Sequence, residues 1–354
     1  MAVQIPDLAF FRGKRVFLTG HTGFKGSWLC TVLALAGAEV YGYALPPAEE
    51  ENLYTLAKVG ENVHSTIGDI RDFSALKVAF DQARPEIVFH LAAQPIVRES
   101  YRDPVGTYHT NVMGTVHLLE CVRQCNSVRS VLNVTTDKVY ENRQWIWGYR
   151  ESDRLNGYDP YSNSKSCSEL VTESYRNSFF PTGTTAVSTA RAGNVIGGGD
   201  FSPDRIVPDC VRAVRGGEPI GIRNPAAIRP YQHVLEPLSA YLLIVQRQWE
   251  DGALAGSYNV GPESGGCVTT GRLAELFCRA WGDGAAWEHT VDGGPHEDAV
   301  LKLDCSKIRT MLGWRPRWTV ERAVGETVAW TKAWLAGEEM TGWMRRQVEM
   351  FYTE

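Results

Sequence analysis

The 354-residue chain is short of several things, and each shortage narrows what it can be. No stretch approaches the roughly 18 uninterrupted apolar residues needed to span a bilayer, and Met1–Gly13 carries no apolar signal core. A cytoplasmic protein is therefore expected. No basic block stands out and the formal net charge is −5, which argues against a broad nucleic-acid footprint. No C-x-x-C pair occurs among the eight cysteines, which are scattered at 30, 121, 125, 167, 210, 267, 278 and 305. Cys121 and Cys125 could share a helix face, but a metal site needs more ligands than two, so reduced thiols and no metal are expected. Internal repeats and low-complexity linkers are also missing, so any two lobes should be interleaved rather than strung out.

What remains is ordinary globular material, 44% hydrophobic and 22% charged, enough to bury a large core. Lys14–Thr19, Glu39–Ala44, Glu86–Ala92 and Ser130–Thr135 read as buried strands. Between them, helical spacing runs from Phe24 to Ala36, near Ser74–Ala83 and over Pro104–Cys125. A further helix is expected at Pro160–Phe180 and a strand at Thr185–Arg191. Strand and helix alternate, which predicts parallel β-α-β units. After Gly193 the pattern loosens into shorter elements, with helices expected over Arg205–Arg215, Glu236–Trp249, Thr270–Trp281 and Val320–Leu335. Trp330 and Trp334 sit at helical spacing and read as core packing.

The segment Gly20-His21-Thr22-Gly23-Phe24-Lys25-Gly26 follows the first strand and opens the first helix. Missing side chains let such a turn tighten and let a pyrophosphate approach the backbone. The helix N-terminus then offers unpaired N–H groups to the phosphates. The expected fold is α/β, a Rossmann-type doubly wound parallel sheet. Residues 1–193 would mainly bind the dinucleotide, and residues 194–354 would form a smaller substrate-binding lobe. One feature of such folds is absent: the second strand ends Tyr43-Ala44-Leu45, with no acid to grip the adenosine ribose. Glu49, Glu50 and Glu51 read as a solvated loop. The residues alone thus leave NAD against NADP open. Asp69, after the third strand, could contact the adenine or be a plain turn residue.

Tyr161 and Lys165 are four apart, which places them on one helix face. A phenol with a pKa near ~10 is a poor base at neutral pH, and a nearby ammonium favours its ionised form. Such a pair can take a proton from a hydroxyl while hydride leaves the same carbon.

With these pieces together, the chain resembles the extended short-chain dehydrogenases/reductases over roughly Phe11 to Trp334. Gly20–Gly26 is similar to their G-x-x-G-x-x-G loop, and His90-Leu91-Ala92-Ala93-Gln94 to their fourth-strand segment. Thr135-Thr136 with Tyr161 and Lys165 is similar to their catalytic set. Thr135-Thr136-Asp137-Lys138-Val139-Tyr140 resembles the catalytic strand end of the sugar-nucleotide 4,6-dehydratases. Gly20–Trp28 and Arg229-Pro230-Tyr231-Gln232-His233-Val234 are similar to the branch acting on CDP-glucose. Most such dehydratases have Asp-Glu after the threonine; Asp137-Lys138 departs from this as that branch does.

The resemblance implies NAD as cofactor, a nucleotide sugar (CDP-glucose) as substrate, and loss of water across C5 and C6. It implies catalytic roles for Thr136, Asp137, Lys138, Tyr161 and Lys165. Asp137 would be the acid at C6, and Lys138 either the C5 base or a cation stabilising the enolate. Cofactor contacts are implied for Gly20, His21, Gly23, Phe24, Gly26, Asp69, Ile70, Leu91, Ala92 and Ala93, together with Tyr161 and Lys165. Substrate contacts are implied for Gln94, Asn194, Arg229 and His296. The helices at 104–125 and 160–180 imply a homodimer or a dimer of dimers. Two other readings use the same scaffold: an epimerase or reductase, which needs no acid at C6, and a non-catalytic NAD-sensing protein, which would not need both Tyr161 and Lys165.

Overall fold

The structure, a computed structural model, describes residues 3–47, 51–181, 183–291 and 299–354. Six strands from the first half, β1 (Arg15–Thr19), β2 (Glu39–Ala44), β3 (His64–Ile67), β4 (Ile87–His90), β5 (Ser130–Val134) and β6 (Ala186–Ala192), form one sheet. A seventh, Ser257–Val260, arrives from the second half. The order is Ser257–Val260, β6, β5, β4, β1, β2, β3, and every pairing is parallel. Helices cover both faces, which is why β4, β5 and β6 are buried at every residue rather than alternately. The chain winds outward from β1 through β2 to β3, then crosses back to start β4 on the other side of β1. Loops leaving the ends of β1 and β4 therefore diverge and open a crevice, where ligands bind in such sheets.

The expected elements fall close to their places. The first helix, α1, spans Phe24–Leu35, and Gly37 ends it at φ +77°. The helix Phe73–Ala83 starts on an Asp72 cap whose Oδ1 accepts from the Ala75 N–H at 3.0 Å. The stretch read as one helix over 104–125 is a continuous helical track in three pieces. Pro104–Tyr108 leads into a π-helical turn at His109–Met113, then Gly114–Arg123. The wide turn carries Asn111, whose amide donates to the Gln94 carbonyl at 3.1 Å and to Ser164 Oγ at 2.9 Å. Trp330 lies in the main core at 1% exposure, with Trp334 partly buried against it.

The second half does not stand apart. The helix Leu235–Glu250 packs on β5 and β6, with Ser130 Oγ donating to the Val245 carbonyl at 2.9 Å. At its start, fully buried Glu236 accepts from the backbone N–H of Arg317 at 2.9 Å and of Trp318 at 2.6 Å. Three small two-stranded pairs shape the rest: Val195–Ile196 with Gln232–His233, Ile228–Pro230 with Cys267–Thr269, and Ile220–Ile222 with Trp287–His289. A last helix, Met340–Thr353, was not foreseen. Its buried Met340, Met344, Val348 and Phe351 recur at helical spacing, and Glu339 caps it. Among the described residues, no helix is long and apolar enough to cross a membrane.

Candidate active site

The crevice above β1 and β4 is a cleft of about 850 Å³. It runs from Gly20 and Asp69 past Tyr161 to Arg223, Arg229 and Thr270. The glycine loop forms its floor at one end. Gly20 has φ +80°, and a Cβ there would lie 2.8 Å from the Ala92 nitrogen. Gly26 is tighter still, since a Cβ would sit 2.0 Å from the Gly20 carbonyl oxygen. Gly23 instead is exposed at the N-cap of α1, and a Cβ there would meet nothing nearer than 3.5 Å. Two glycines thus hold the turn closed, and the third leaves the helix N-terminus bare towards the cleft. That arrangement fits a dinucleotide pyrophosphate.

Most residues expected to touch the cofactor line this cleft: Gly20, Gly23, Phe24, Gly26, Asp69, Ile70, Leu91, Ala92 and Ala93. Asp69 is already engaged, its carboxylate forked on Arg71, which holds it below the usual carboxylate range. His21 is different. Its side chain is absent from the lining and packs over Gly42, where Nε2 meets Ser65 Oγ at 2.7 Å. Burial pushes it down to about 4, so it packs as a neutral ring.

β5 and the helix Pro160–Phe179 deliver the candidate catalytic set to the middle of the cleft. Thr136, Asp137, Lys138, Tyr161 and Lys165 all line it. The helix begins on Asp159, which accepts from the Ser162 N–H at 2.9 Å, with Pro160 in its first turn. Tyr161 and Lys165 then project together towards the strand end. Thr136 hydrogen-bonds with Tyr161 and donates to Asp137 Oδ1 at 3.1 Å. Asp137 is 2% exposed, and its Oδ2 has no hydrogen-bond partner among the described residues. Burial raises its pKa against the pull of Lys138, Thr136, Arg229 and Lys25. A buried carboxyl group held towards its protonated form at the wall of the cleft, with one oxygen unpaired among the described residues, is suited to donate a proton.

Lys165 donates to the Val134 carbonyl at 3.1 Å, and burial, aided by Lys25, lowers it to about 8. Burial raises Tyr161; the strongest opposing influence is the Arg205 guanidinium, followed by the hydrogen bond with Thr136. Arg205, from the second half of the chain, is thus a further cation that favours the phenolate. Lys25 is a second unforeseen member: it lines the cleft from inside the glycine loop, and burial lowers it to about 8, with Arg205 adding to this and Asp137 and Asp200 opposing it. Its position between two motif glycines was visible, but no spacing rule aims a loop lysine at a strand end.

The substrate-side residues Gln94, Asn194 and Arg229 also line the cleft. Gln94 spends its amide on its own loop, donating to Thr107 at 2.8 Å and accepting from the Ile96 N–H at 2.6 Å. Arg229 is 9% exposed on the strand Ile228–Pro230 and acts electrostatically on Asp137. His296 lies outside the described residues. Among the described residues, no group of three His, Cys, Asp or Glu could hold a metal ion.

Comparison with known proteins agrees with this geometry. The chain is 48% identical over 348 residues to a CDP-glucose 4,6-dehydratase of Salmonella typhimurium, covering 97% of each chain. A solved dTDP-glucose 4,6-dehydratase from Streptomyces venezuelae, with NAD bound, superposes at a TM-score of 0.78 with 26% identity, covering 92% of this chain and 99% of that one. A UDP-glucose 4-epimerase from Thermotoga maritima shares the fold at a TM-score of 0.77 and 24% identity, covering 90% and 99%. The model of the GDP-mannose 4,6 dehydratase family matches residues 17–327, and the chain belongs to that family.

Proposed function

We propose that the protein is a hydro-lyase that converts CDP-D-glucose to CDP-4-dehydro-6-deoxy-D-glucose, with NAD as a recycled cofactor. The observation that carries this is Asp137: a buried carboxyl in the wall of the cleft, with one oxygen unpaired among the described residues, beside Thr136 and Tyr161. An epimerase on the same scaffold has no need of that acid. The 48% identity to a CDP-glucose 4,6-dehydratase supports the choice of base and sugar. In this reading residues 1–193 chiefly bind the cofactor and residues 194–354 chiefly the substrate.

Gly20, Gly23 and Asp69 would hold NAD, which when bound would supply a reversible hydride acceptor for oxidation at C4 and reduction at C6. Tyr161 removes the C4 hydroxyl proton, and Thr136 steadies that oxygen. The Arg205 guanidinium offsets part of the burial that disfavours the phenolate, and Lys165 stands one helical turn on. A ketone at C4 acidifies the C5 proton. Lys138 takes that proton, and Asp137 protonates the departing C6 hydroxyl. Arg229 and Asn194 hold the substrate diphosphate, a task a planar guanidinium suits. His296 would close the same end, and Gln94 shapes the wall beside the sugar.

The protein would work as a homodimer. Tyr101, Val105, Tyr108, Met113 and Leu170 are 36–77% exposed, on the neighbouring helices Val97–Arg102 and Pro160–Phe179 and the track 104–123. Together they offer an apolar face for a second copy. All eight cysteines are free thiols, which suits the reducing cytoplasm.

The test is incubation with CDP-, dTDP-, UDP- and GDP-glucose without added reductant, followed by mass spectrometry. A CDP-sugar lighter by one water is expected. A 4-epimer of unchanged mass would overturn the proposal.

A further inference from the structure

Beneath the candidate catalytic residues lies a buried ion pair that the scheme above does not use. Arg191 on β6 and Glu169 on the helix Pro160–Phe179 meet at 2.9 Å, with side-chain exposures of 3% and 2%. Desolvating two charges offsets much of their attraction, so such a pair is a poor device for stability alone. Its placement is more telling. Tyr161, Lys165 and Glu169 follow one another at four-residue intervals, so Glu169 continues the catalytic stripe by one turn.

Each oxygen of Glu169 has a defined task. Oε1 accepts the hydroxyl of Thr135, the residue that precedes Thr136. Oε2 accepts the Thr189 hydroxyl at 2.7 Å and the Arg191 guanidinium. Arg191 goes on to donate to the Tyr140 hydroxyl at 2.8 Å and the Glu151 carbonyl at 3.0 Å. Tyr140 in turn donates to Asn259 Oδ1 at 2.6 Å, on the last strand of the sheet. One carboxylate therefore ties the end of β5, the catalytic helix and β6 together, and Arg191 extends the tie to Tyr140, just past the Asp137-Lys138 turn.

We infer that Glu169 is a positioning residue for the dehydration: it fixes Thr136 through Thr135, and it keeps the Lys165 side of the stripe in register and positively charged. This rests on the function proposed above. The groups facing Lys165 are Lys25 from the glycine loop, His90 from β4 and Glu169 from its own helix, with the Val134 carbonyl accepting its hydrogen bond. Burial and Lys25 disfavour the ammonium, and Glu169 favours it. Around Glu169 itself stand Arg191 and Tyr140. Removing the carboxylate leaves Lys165 with burial, Lys25 and a newly unpaired Arg191, all acting in one direction.

The experiment is the pH profile of CDP-glucose dehydration and of its first, nicotinamide-reducing step for the wild type, Glu169→Gln and Glu169→Asp. Lys165 serves as a cation for the hydride step, so single-turnover nicotinamide reduction, which comes before the Asp137 proton is needed, is lost as pH rises through the Lys165 pKa. Glu169→Gln should move that alkaline limb to lower pH by about one unit, the effect of a nearby opposite charge. It should also lower kcat on the order of tenfold to a hundredfold, as small misplacements do, with KM little changed. Glu169→Asp should restore the limb. A folded Glu169→Gln enzyme with the wild-type limb overturns the inference. If that variant does not fold, Thr135→Val takes its place: lower kcat at constant KM supports the inference, and wild-type kcat overturns it. A wild-type protein that makes no product would instead count against the proposed function.

Discussion

Glu236→Gln is the substitution whose effect follows most directly from the structure. Glu236 is fully buried at the head of the helix Leu235–Glu250. Burial raises its carboxyl from 4.5 to about 7, despite two backbone N–H groups and the Arg317 charge that favour ionisation. One oxygen serves Arg317 and Trp318; Oε2 has no partner among the described residues. Between pH 4.5 and about 7 the native group keeps its proton while the unfolded group loses it. The native state then binds more protons, so stability falls as pH rises through that window. Each pKa unit is worth 1.36 kcal/mol, which makes the loss about 3 kcal/mol by pH 8. Glutamine keeps the acceptor for both N–H groups and cannot ionise. Urea midpoints at half-unit steps from pH 4.5 to 8 should therefore decline in the wild type and run about 3 kcal/mol flatter in the variant. Parallel curves for the two proteins would refute the reasoning, because the slope would then belong to other groups.

Three further outcomes are expected. Asp137→Asn should form reduced nicotinamide on mixing with CDP-glucose, yet release dehydrated product about 10²–10⁴-fold more slowly, as read by stopped-flow absorbance and mass spectrometry. Gly26→Ala should lose cofactor binding in calorimetry and about 1–3 kcal/mol of stability, since the added carbon meets backbone on a 2.0 Å approach. Val105→Glu combined with Leu170→Glu should shift the light-scattering mass from dimer to monomer while circular dichroism stays unchanged, because both side chains are more than half exposed in the single chain.

The parallel sheet was legible because its strands are short apolar runs separated by helix-period segments, and a buried sheet permits little else. Glu39–Ala44, Thr270–Trp281 and Val320–Leu335 have the same bounds in sequence and structure. The small strand pairs of the second half could not be read, being two or three residues long and defined by tertiary neighbours. Met340–Thr353 carries its own signal in the apolar spacing of Met340, Met344, Val348 and Phe351. At the site, residues carried by a strand end and a helix face, Thr136, Asp137, Tyr161 and Lys165, met as their spacing required. The cations Lys25 and Arg205 act across the cleft, from elements about 180 residues apart in the chain, a distance no local pattern spans. His21 shows the converse: its motif position was plain, but its ring packs over Gly42 against Ser65 and does not line the cleft.

The strand Ser257–Val260 has a consequence for how the molecule is made. It is parallel to β6 and enters the sheet 65 residues after β6 has ended at Ala192. During synthesis, everything up to β6 can leave the ribosome while that outer flank still shows a bare row of amides and carbonyls. Buried Thr189 and Arg191 lie on the same strand. Slowing translation between codons 193 and 256 should lengthen this vulnerable interval and favour inclusion bodies, whereas supplying the downstream segment early, by circular permutation, should shorten it.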